Sequence, residues 1–361
     1  MRKILILEPY YGGSHKQFLQ GLMDNICAEY VVLSLPARKW KMRMQLSAQW
    51  FIEQLENVDP DQRQFDTVLC STFIDVAVFR ALACKLSGWN HATRICLYFH
   101  ENQFAYPNRT NDKSLYQFTA INFNSALASD SIAFNSEFNR ITFMEGCRRY
   151  LKFSSDMKFT GLVEKIEDSS IVIHPGMDFS VIDGVRAGEN KDEPVIVWNH
   201  RWEHDKNPDE FFFGLRLLKT KGISFKLIIM GQSFMRNPEC FENAHKEFNQ
   251  ELIHYGFAES YENYAKLLGE ATIVVSTSNH EFYGISVIEA VRAGCRPLLP
   301  NRLSYPELFP KEYLYTEGMF PSQLEKIVTE NKQITVKSAK ELTNDFSWSS
   351  LKPKYQKWLE G

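Results

Sequence analysis

The sequence predicts an α/β protein built from two doubly wound parallel sheets joined by one polar linker. Three observations carry that reading. The chain has 361 residues, and at about 100–200 residues per domain that is room for two. Apolar runs of three to six residues alternate with helical patterns along both halves, the order a parallel sheet with crossover helices requires. Between the halves lies DGVRAGENKDEP, residues 183–194, polar and rich in glycine and charge.

In the first half the apolar run 4–7 breaks at Gly12 and Gly13 into a helical pattern over 15–26, and 30–35 follows as a strand. Runs at 67–70, 95–99 and 131–134 read as further strands, the last ahead of a helix capped by Asn135 or Ser136. A strand at 171–173 closes this half before Pro175 and Gly176. The second half repeats the alternation: strand 195–198, helix 209–219, strand 225–230, a short extended run 253–255, helix 261–269, strand 273–276, helix 285–293 and strand 297–299. A helix bearing Trp348 and Trp358 occupies 347–359. The expected domains are 1–182 and 195–346, joined by the linker 183–194, with 347–361 packing back on the first.

Composition narrows the function classes. Apolar residues make up 44% and charged residues 24%, ordinary for a globular protein. A formal net charge of −3 supplies no overall field for a polyanion, so nucleic acid would need a local basic patch. The opening apolar run stops at Glu8, too short for a signal peptide core or a membrane span. Seven cysteines without a CxxC pair read as reduced thiols rather than disulfides or a zinc site. A cytoplasmic protein without stable membrane insertion is expected. Its oligomeric state is not legible.

The chemistry concentrates in residues 276–300, STSNHEFYGISVIEAVRAGCRPLLP. A strand end, a turn and a helix start place free backbone N–H groups there, which favour an anion such as a diphosphate. Gly284 lets the backbone come close to a ligand. Glu281 lies before the helix, within reach of a sugar hydroxyl. Glu289 follows eight positions later, about one turn in, with a carboxylate suited to a ribose diol. Residues 198–208, WNHRWEHDKNP, add Arg201 and Lys206 directly after a strand, a fork and a point charge for phosphate oxygens. In the first half, Gly12, Gly13, Ser14 and His15 turn a strand into a helix, and His100, Glu101 and Asn102 follow the strand 95–99, the favoured place for titratable groups in a parallel sheet.

The run E-F-Y-G-I-S-V-I-E-A-x-x-A-G-x-x-P resembles the E-x7-E signature of the retaining family 4 glycosyltransferases. The resemblance implies the GT-B fold, two Rossmann-like domains facing each other across a cleft. It implies that Glu281 contacts the transferred sugar and Glu289 the ribose. The backbone of Phe282, Tyr283, Gly284 and Ile285 would hold sugar and phosphate. Arg201 and Lys206 would neutralise the diphosphate in place of a metal, Gly12 and Gly13 would face the phosphates, and His100 would lie near the reacting sugar. Two departures stand out, His200 and Asn207 where the family carries glycine. No other cofactor is implied.

The stretches EPYYGGSHKQF, LPARKWKMR, FHENQFAYP and FNSEFNR resemble one subgroup, the tRNA-queuosine mannosyltransferases. That resemblance implies GDP-mannose as co-substrate and the cyclopentenediol of queuosine in the anticodon of an aspartate tRNA as acceptor. The alternative is a family 4 enzyme with another nucleotide sugar and a lipid or glycan acceptor. Two basic clusters fit an RNA: Arg38, Lys39, Lys41 and Arg43 interleaved with Trp40 and Met42, and Arg148, Arg149 and Lys152 around Tyr150. The same residues fit a membrane-surface segment or a solvated helix face.

Overall fold

The computed structural model describes residues 1–106, 115–185, 192–232 and 238–361. They form two compact units, Met1–Met177 with Trp348–Gly361, and Asp178–Ser347. The expected linker at 183–194 therefore starts too late. Residues 183–185 belong to the helix Ser180–Val185 of the second unit, and 186–191 lie outside the described residues. Polar composition misled here, because a short surface helix needs only one buried anchor, Ile182.

The first unit holds a parallel sheet of β1 (Lys3–Tyr11), β2 (Glu29–Pro36), β3 (Thr67–Ser71), β4 (Arg94–Phe99), β5 (Ser131–Phe134) and β6 (Ser170–Val172). Their order is β2-β1-β3-β4-β5-β6. Side chains alternate between two buried faces, as they must in a sheet covered on both sides. Leu5, Leu7, Leu97, Phe99, Ile132 and Phe134 enter one core. Their neighbours Ile4, Ile6, Cys96, Tyr98 and Ala133 enter the other.

That second face is closed by the helix Gly13–Asn25 and by the C-terminal helix Trp348–Glu360. Trp348, Leu351, Tyr355, Trp358 and Leu359 are all buried in it. Trp358 Nε1 donates to Ser131 Oγ at 3.0 Å, and the Tyr355 hydroxyl donates to the His174 carbonyl at 2.8 Å. Two glycines make room for the Trp348 indole: a Cβ at Gly21 would sit 2.2 Å from its Nε1, and one at Gly176 2.3 Å from its ring.

The second unit holds β7 (Val195–Trp198), β8 (Lys226–Met230), β9 (Leu252–Gly256), β10 (Ile273–Val275), β11 (Arg296–Pro300) and β12 (Leu314–Tyr315). The order is β12-β11-β10-β7-β8-β9, again parallel. Strand order reverses direction between β7 and β10 in this unit and between β1 and β3 in the first. Such a switch point leaves a crevice at the carboxyl ends of the two strands, where ligands of open α/β sheets bind. The two-residue β12 carried no readable signal, because it is too short for periodicity, whereas the helix Phe320–Glu330 was missed although Phe320, Leu324, Ile327 and Val328 recur at helical spacing with Pro321 in the first turn.

Because Trp348 fills space kept by two glycines, Trp348→Ala is expected to cost about 3–5 kcal/mol of stability. Urea unfolding of the full chain measures it, and an unmoved midpoint would remove the tail from the core.

Candidate active site

In the second unit the switch point is built from two loops locked to each other. One follows β7 and carries Arg201, Asp205 and Lys206. The other follows β10 and runs from Ser276 to Gly284. Thr277 Oγ1 donates to the carbonyls of Lys206 and Asn207 at 3.0 and 2.9 Å, and the Asn279 amide donates to the Asp205 carbonyl at 2.8 Å. From the other side, Ser304 Oγ donates to the Tyr283 carbonyl at 2.7 Å, and Arg302 Nε to the Ser278 carbonyl at 3.1 Å. Asn207 takes the left-handed conformation, φ 52°. Asparagine is the residue that tolerates this best after glycine, which accounts for one departure from the family pattern. His200 causes no strain of that kind. Its carbonyl instead presses on Gly231, where a Cβ would come within 1.9 Å.

Lys206 and Glu281 meet at the centre. Lys206 Nζ lies 3.1 Å from Glu281 Oε2, 2.7 Å from the His280 carbonyl and 3.5 Å from Asp205 Oδ2. Burial opposes the Glu281 charge, but Lys206 beside it outweighs burial and holds the carboxyl down at about 2. The Tyr283 amide also donates to Glu281 Oε1 at 3.3 Å. Burial, then the Lys206 charge, lower His200 and His280 to about 4, so both rings are neutral near pH 7. Gly284 follows with φ 110°, a backbone conformation that favours glycine, and a Cβ there would press on the Tyr305 ring at 3.2 Å. It caps the helix Ile285–Ala293, which has no side-chain cap at its N-terminus. Phe282 and Tyr283 are buried, so their side chains shape the loop and leave any ligand contact to their backbone. Arg201 is half exposed, with Nη2 3.2 Å from Glu203.

Glu289 lies buried one turn into that helix. Its oxygens accept from Tyr261 at 3.0 Å and Tyr264 at 2.9 Å, and Asn199 Nδ2 donates to the Tyr264 hydroxyl at 3.0 Å. These phenols fix the carboxylate's orientation. The sequence reading missed them, although their i, i+3 spacing puts both on one face of the helix Tyr261–Glu270.

In the first unit the corresponding strand ends carry four titratable groups. Glu8, on β1, is buried and accepts from the Tyr10 amide at 2.7 Å and from Ser71 Oγ at 3.0 Å. His15 Nδ1 lies 3.2 Å from Glu8 Oε2, and its Nε2 lies 3.6 Å from Glu101 Oε2. Burial disfavours a charge on this ring, but Glu8 and Glu101 outweigh it and push its pKa up to about 10. His100 packs against His15 with ring centroids 4.0 Å apart. Burial and that neighbouring charge lower the His100 pKa, so the ring is neutral. Its Nε2 is buried without a hydrogen-bond partner among the described residues. Glu8, His15 and His100 offer three ligand atoms within 4.8 Å of one another. Both nitrogens of His15 already face carboxylates, so the ring reads as an imidazolium held between two anions. Glu8 opens the stretch EPYYGGSHKQF, but it was not read as a site residue because only packing brings His15 and Ser71 to its carboxylate.

The remaining candidates divide. Gly12 is extended, and its need for glycine is contact: a Cβ would lie 2.5 Å from that of Ala37. Gly13 has φ 51°, and Ser14 is exposed at the helix start. Asn102 is fully buried, donating to Asn139 Oδ1 at 2.8 Å and accepting from the Ala105 amide at 2.9 Å, so it staples a loop and is not open to an acceptor. Arg38 and Lys39 are exposed, Lys39 in the left-handed region at φ 54°. Trp40 is half-buried against Phe118 at 5.1 Å, with Lys41 above its ring, and Arg43 Nε is buried. Trp40 is therefore not a free stacking surface. In the second cluster Arg148 lies 2.9 Å from Glu167, Arg149 lies 3.8 Å from Glu145, and Tyr150 packs on Phe104 and Phe123, while Lys152 is exposed.

The two buried charges bound opposite pH limits. The His15 pKa is raised, so its contribution to stability is whole below pH 6.5 and is lost as pH rises toward 10. The Glu281 pKa is depressed, so its contribution is whole above pH 4.5 and is lost as pH falls toward 2. Urea midpoints across pH should show the wild-type advantage over His15→Gln shrinking on the alkaline side and that over Glu281→Gln shrinking on the acid side. Differences that do not vary with pH would mean that folding leaves these pKa values unshifted, and a dependence of the opposite sign would mean that the fold holds the groups uncharged.

The sequence model described as the N-terminal part of tRNA-queuosine alpha-mannosyltransferase matches residues 3–177, and that of glycosyl transferases group 1 matches 184–323. A Drosophila melanogaster protein named tRNA-queuosine alpha-mannosyltransferase is 36% identical over 322 residues, covering 86% of this chain and 83% of that protein. A Xanthomonas campestris protein named GDP-mannose:cellobiosyl-diphosphopolyprenol alpha-mannosyltransferase is 27% identical over 131 residues, 36% of this chain and 34% of that one. Among solved structures, sucrose-phosphate synthase from Thermosynechococcus elongatus matches with a TM-score of 0.70 at 11% identity, covering 99% of this chain and 98% of that one. That likeness speaks to fold, and the two helix-flanked parallel sheets are those of GT-B proteins. The chain belongs to the tRNA-queuosine alpha-mannosyltransferase family and is a nucleotide-sugar-dependent glycosyltransferase of GT-B fold.

Proposed function

We propose that this enzyme moves mannose from GDP-mannose to the cyclopentenediol of queuosine in the anticodon of an aspartate tRNA, with retention of configuration. The observation that carries this is the 36% identity to the Drosophila enzyme across most of both chains, with the Glu281–Glu289 loop intact at the switch point. The shared segment with a protein named for GDP-mannose supports the donor.

The donor binds the second unit. Glu289, oriented by Tyr261 and Tyr264, takes the ribose hydroxyls. The backbone of Phe282, Tyr283, Gly284 and Ile285 receives the diphosphate at the helix N-terminus, where the helix dipole favours an anion. Arg201 and Lys206 supply the fixed positive charge. The bond from the sugar's anomeric carbon to the diphosphate breaks, and the acceptor oxygen bonds to that carbon on the same face. The acceptor's proton passes to the departing phosphate. Preorganised charge aimed at that phosphate is the main source of rate. Glu281, held ionised by Lys206, positions the sugar hydroxyls. The family resemblance assigns His100 to the reacting sugar and Gly12 and Gly13 to the phosphates; within its own unit His100 is kept neutral by burial and by the charge on His15.

We further propose that the reaction takes place in the cytoplasm. Free cysteines support that assignment. Among the described residues no helix is long and apolar enough to cross a membrane.

Radiolabelled GDP-mannose, offered with tRNA from cells that make queuosine and from cells that do not, tests the assignment. Label is expected only in the first pool. Label in neither pool, from folded protein that binds another sugar nucleotide, would turn attention to lipid or glycan acceptors. Arg201→Ala is the clean charge variant, because the residue is half exposed while Lys206→Ala would strand Glu281. It is expected to lower kcat by about a hundredfold or more with the melting temperature unchanged. EDTA is expected to leave turnover intact, and loss restored by Mg²⁺ would overturn the charge assignment.

A further inference from the structure

We propose that one face of the first unit is the stacking platform for single-stranded RNA of the acceptor, formed by exposed aromatic residues, Tyr116 and Phe153, that lie beside the basic clusters legible in sequence and are not part of them. The inference rests on the tRNA reading above. Three helices build the face: the first turns of Trp40–Glu56, the start of Leu115–Ala128 and the end of Glu137–Lys152.

Phe153 is 72% exposed and Tyr116 60% exposed. Their rings meet edge to face, with centroids 6.1 Å apart and planes at 89°. Gln117, beside Tyr116, donates from Nε2 to Gln45 Oε1 at 2.8 Å and ties this pair to the first helix, where Met42 is also exposed. A single exposed apolar residue needs no explanation, but large apolar side chains gathered from three elements mark a contact surface. Lys41 and Lys152, next in the chain to Met42 and Phe153, are exposed.

Charge chooses the partner. The chain as a whole carries 44 acidic and 41 basic residues. The segments that form this face, 38–52, 115–129 and 146–155, hold no acidic residue; Glu53, Asp130, Glu145 and Asp156 bound them, and Glu145 is paired with Arg149. Such a face suits a polyanion. Rings that offer an edge and a face suit bases, and every base has a π-face to stack. The paired amides of Gln45 and Gln117 in the middle of the patch match base edges, whereas they would be costly against acyl chains. The match to the part of the family named for its tRNA acceptor spans 3–177, which includes the whole face, while the generic sugar-transfer match spans 184–323 and excludes it.

The test uses full-length protein, queuosine-containing tRNA and anionic phosphatidylserine vesicles. One variant combines Phe153→Ala with Tyr116→Ala, and a second combines Lys41→Glu with Lys152→Glu. All four side chains are exposed, and melting curves verify folding. The aromatic variant is expected to raise the KM for tRNA by at least about tenfold, with the KM for GDP-mannose unmoved and the salt slope of tRNA binding retained. The lysine variant is expected to flatten that salt slope, by roughly 0.7 for each phosphate no longer neutralised. If the wild type modifies tRNA while both variants keep its KM and salt slope, the platform is elsewhere. Loss of vesicle partition in the aromatic variant, with KM for tRNA unchanged, would make the face a membrane contact and overturn the proposal. A wild type that labels no tRNA would sink the functional reading itself.

Discussion

The organisation of the second unit depends on one buried ion pair, Lys206 with Glu281. A lysine this enclosed stays charged only if an anion stands beside it, and a buried carboxylate has the converse need. The pair spans 3.1 Å between two loops that share nothing else in sequence, one after β7 and one after β10. Backbone bonds through Thr277 and Asn279 hold the loops in the register that lets the charges meet. The pair therefore does two things. It keeps the strand ends together at the switch point, and it leaves a glutamate ionised beside the N-terminus of Ile285–Ala293.

The first unit solves a similar problem with different groups. Its switch point also carries a buried carboxylate, Glu8, but the compensating cation is an imidazolium. His15 has carboxylates at both nitrogens, and its charge is set against a second ring that remains neutral. A lysine would carry the charge on a flexible stem. A histidine carries it in a flat ring that packs between Phe73 and His100, so charge and packing are fixed together.

Much of this was legible in sequence, for reasons that differ by residue. The strands were readable because a parallel sheet buried on both faces demands continuous apolar runs. The loop from Glu281 to Glu289 was readable because its glycine, its helix start and its two acids all fall within one local segment. Contacts between distant segments were not readable. Nothing around Tyr261 or Tyr264 announces that their hydroxyls end on Glu289, and nothing around Glu8 announces a partner in the following helix. Direction was also hidden. Trp40 and Tyr150 sit among cations in the chain, as RNA-binding aromatics do, but the helices turn both rings inward. Asn102 looked like a site residue because it follows a strand end. Its amide is consumed by Asn139 and Thr142.

The helix Trp348–Glu360 has a consequence for the order of events during synthesis. One face of the first sheet is completed by residues made after the entire second unit. On the ribosome, Tyr98, Ile6 and Ala133 wait with an unfinished covering while residues 178–347 are translated. At about 5–20 residues per second that interval is roughly ten to thirty seconds. For its duration the nascent first domain exposes apolar sheet that the finished protein hides. Its exposure to chaperones and to aggregation is thus set by where the chain stores its last aromatic residues.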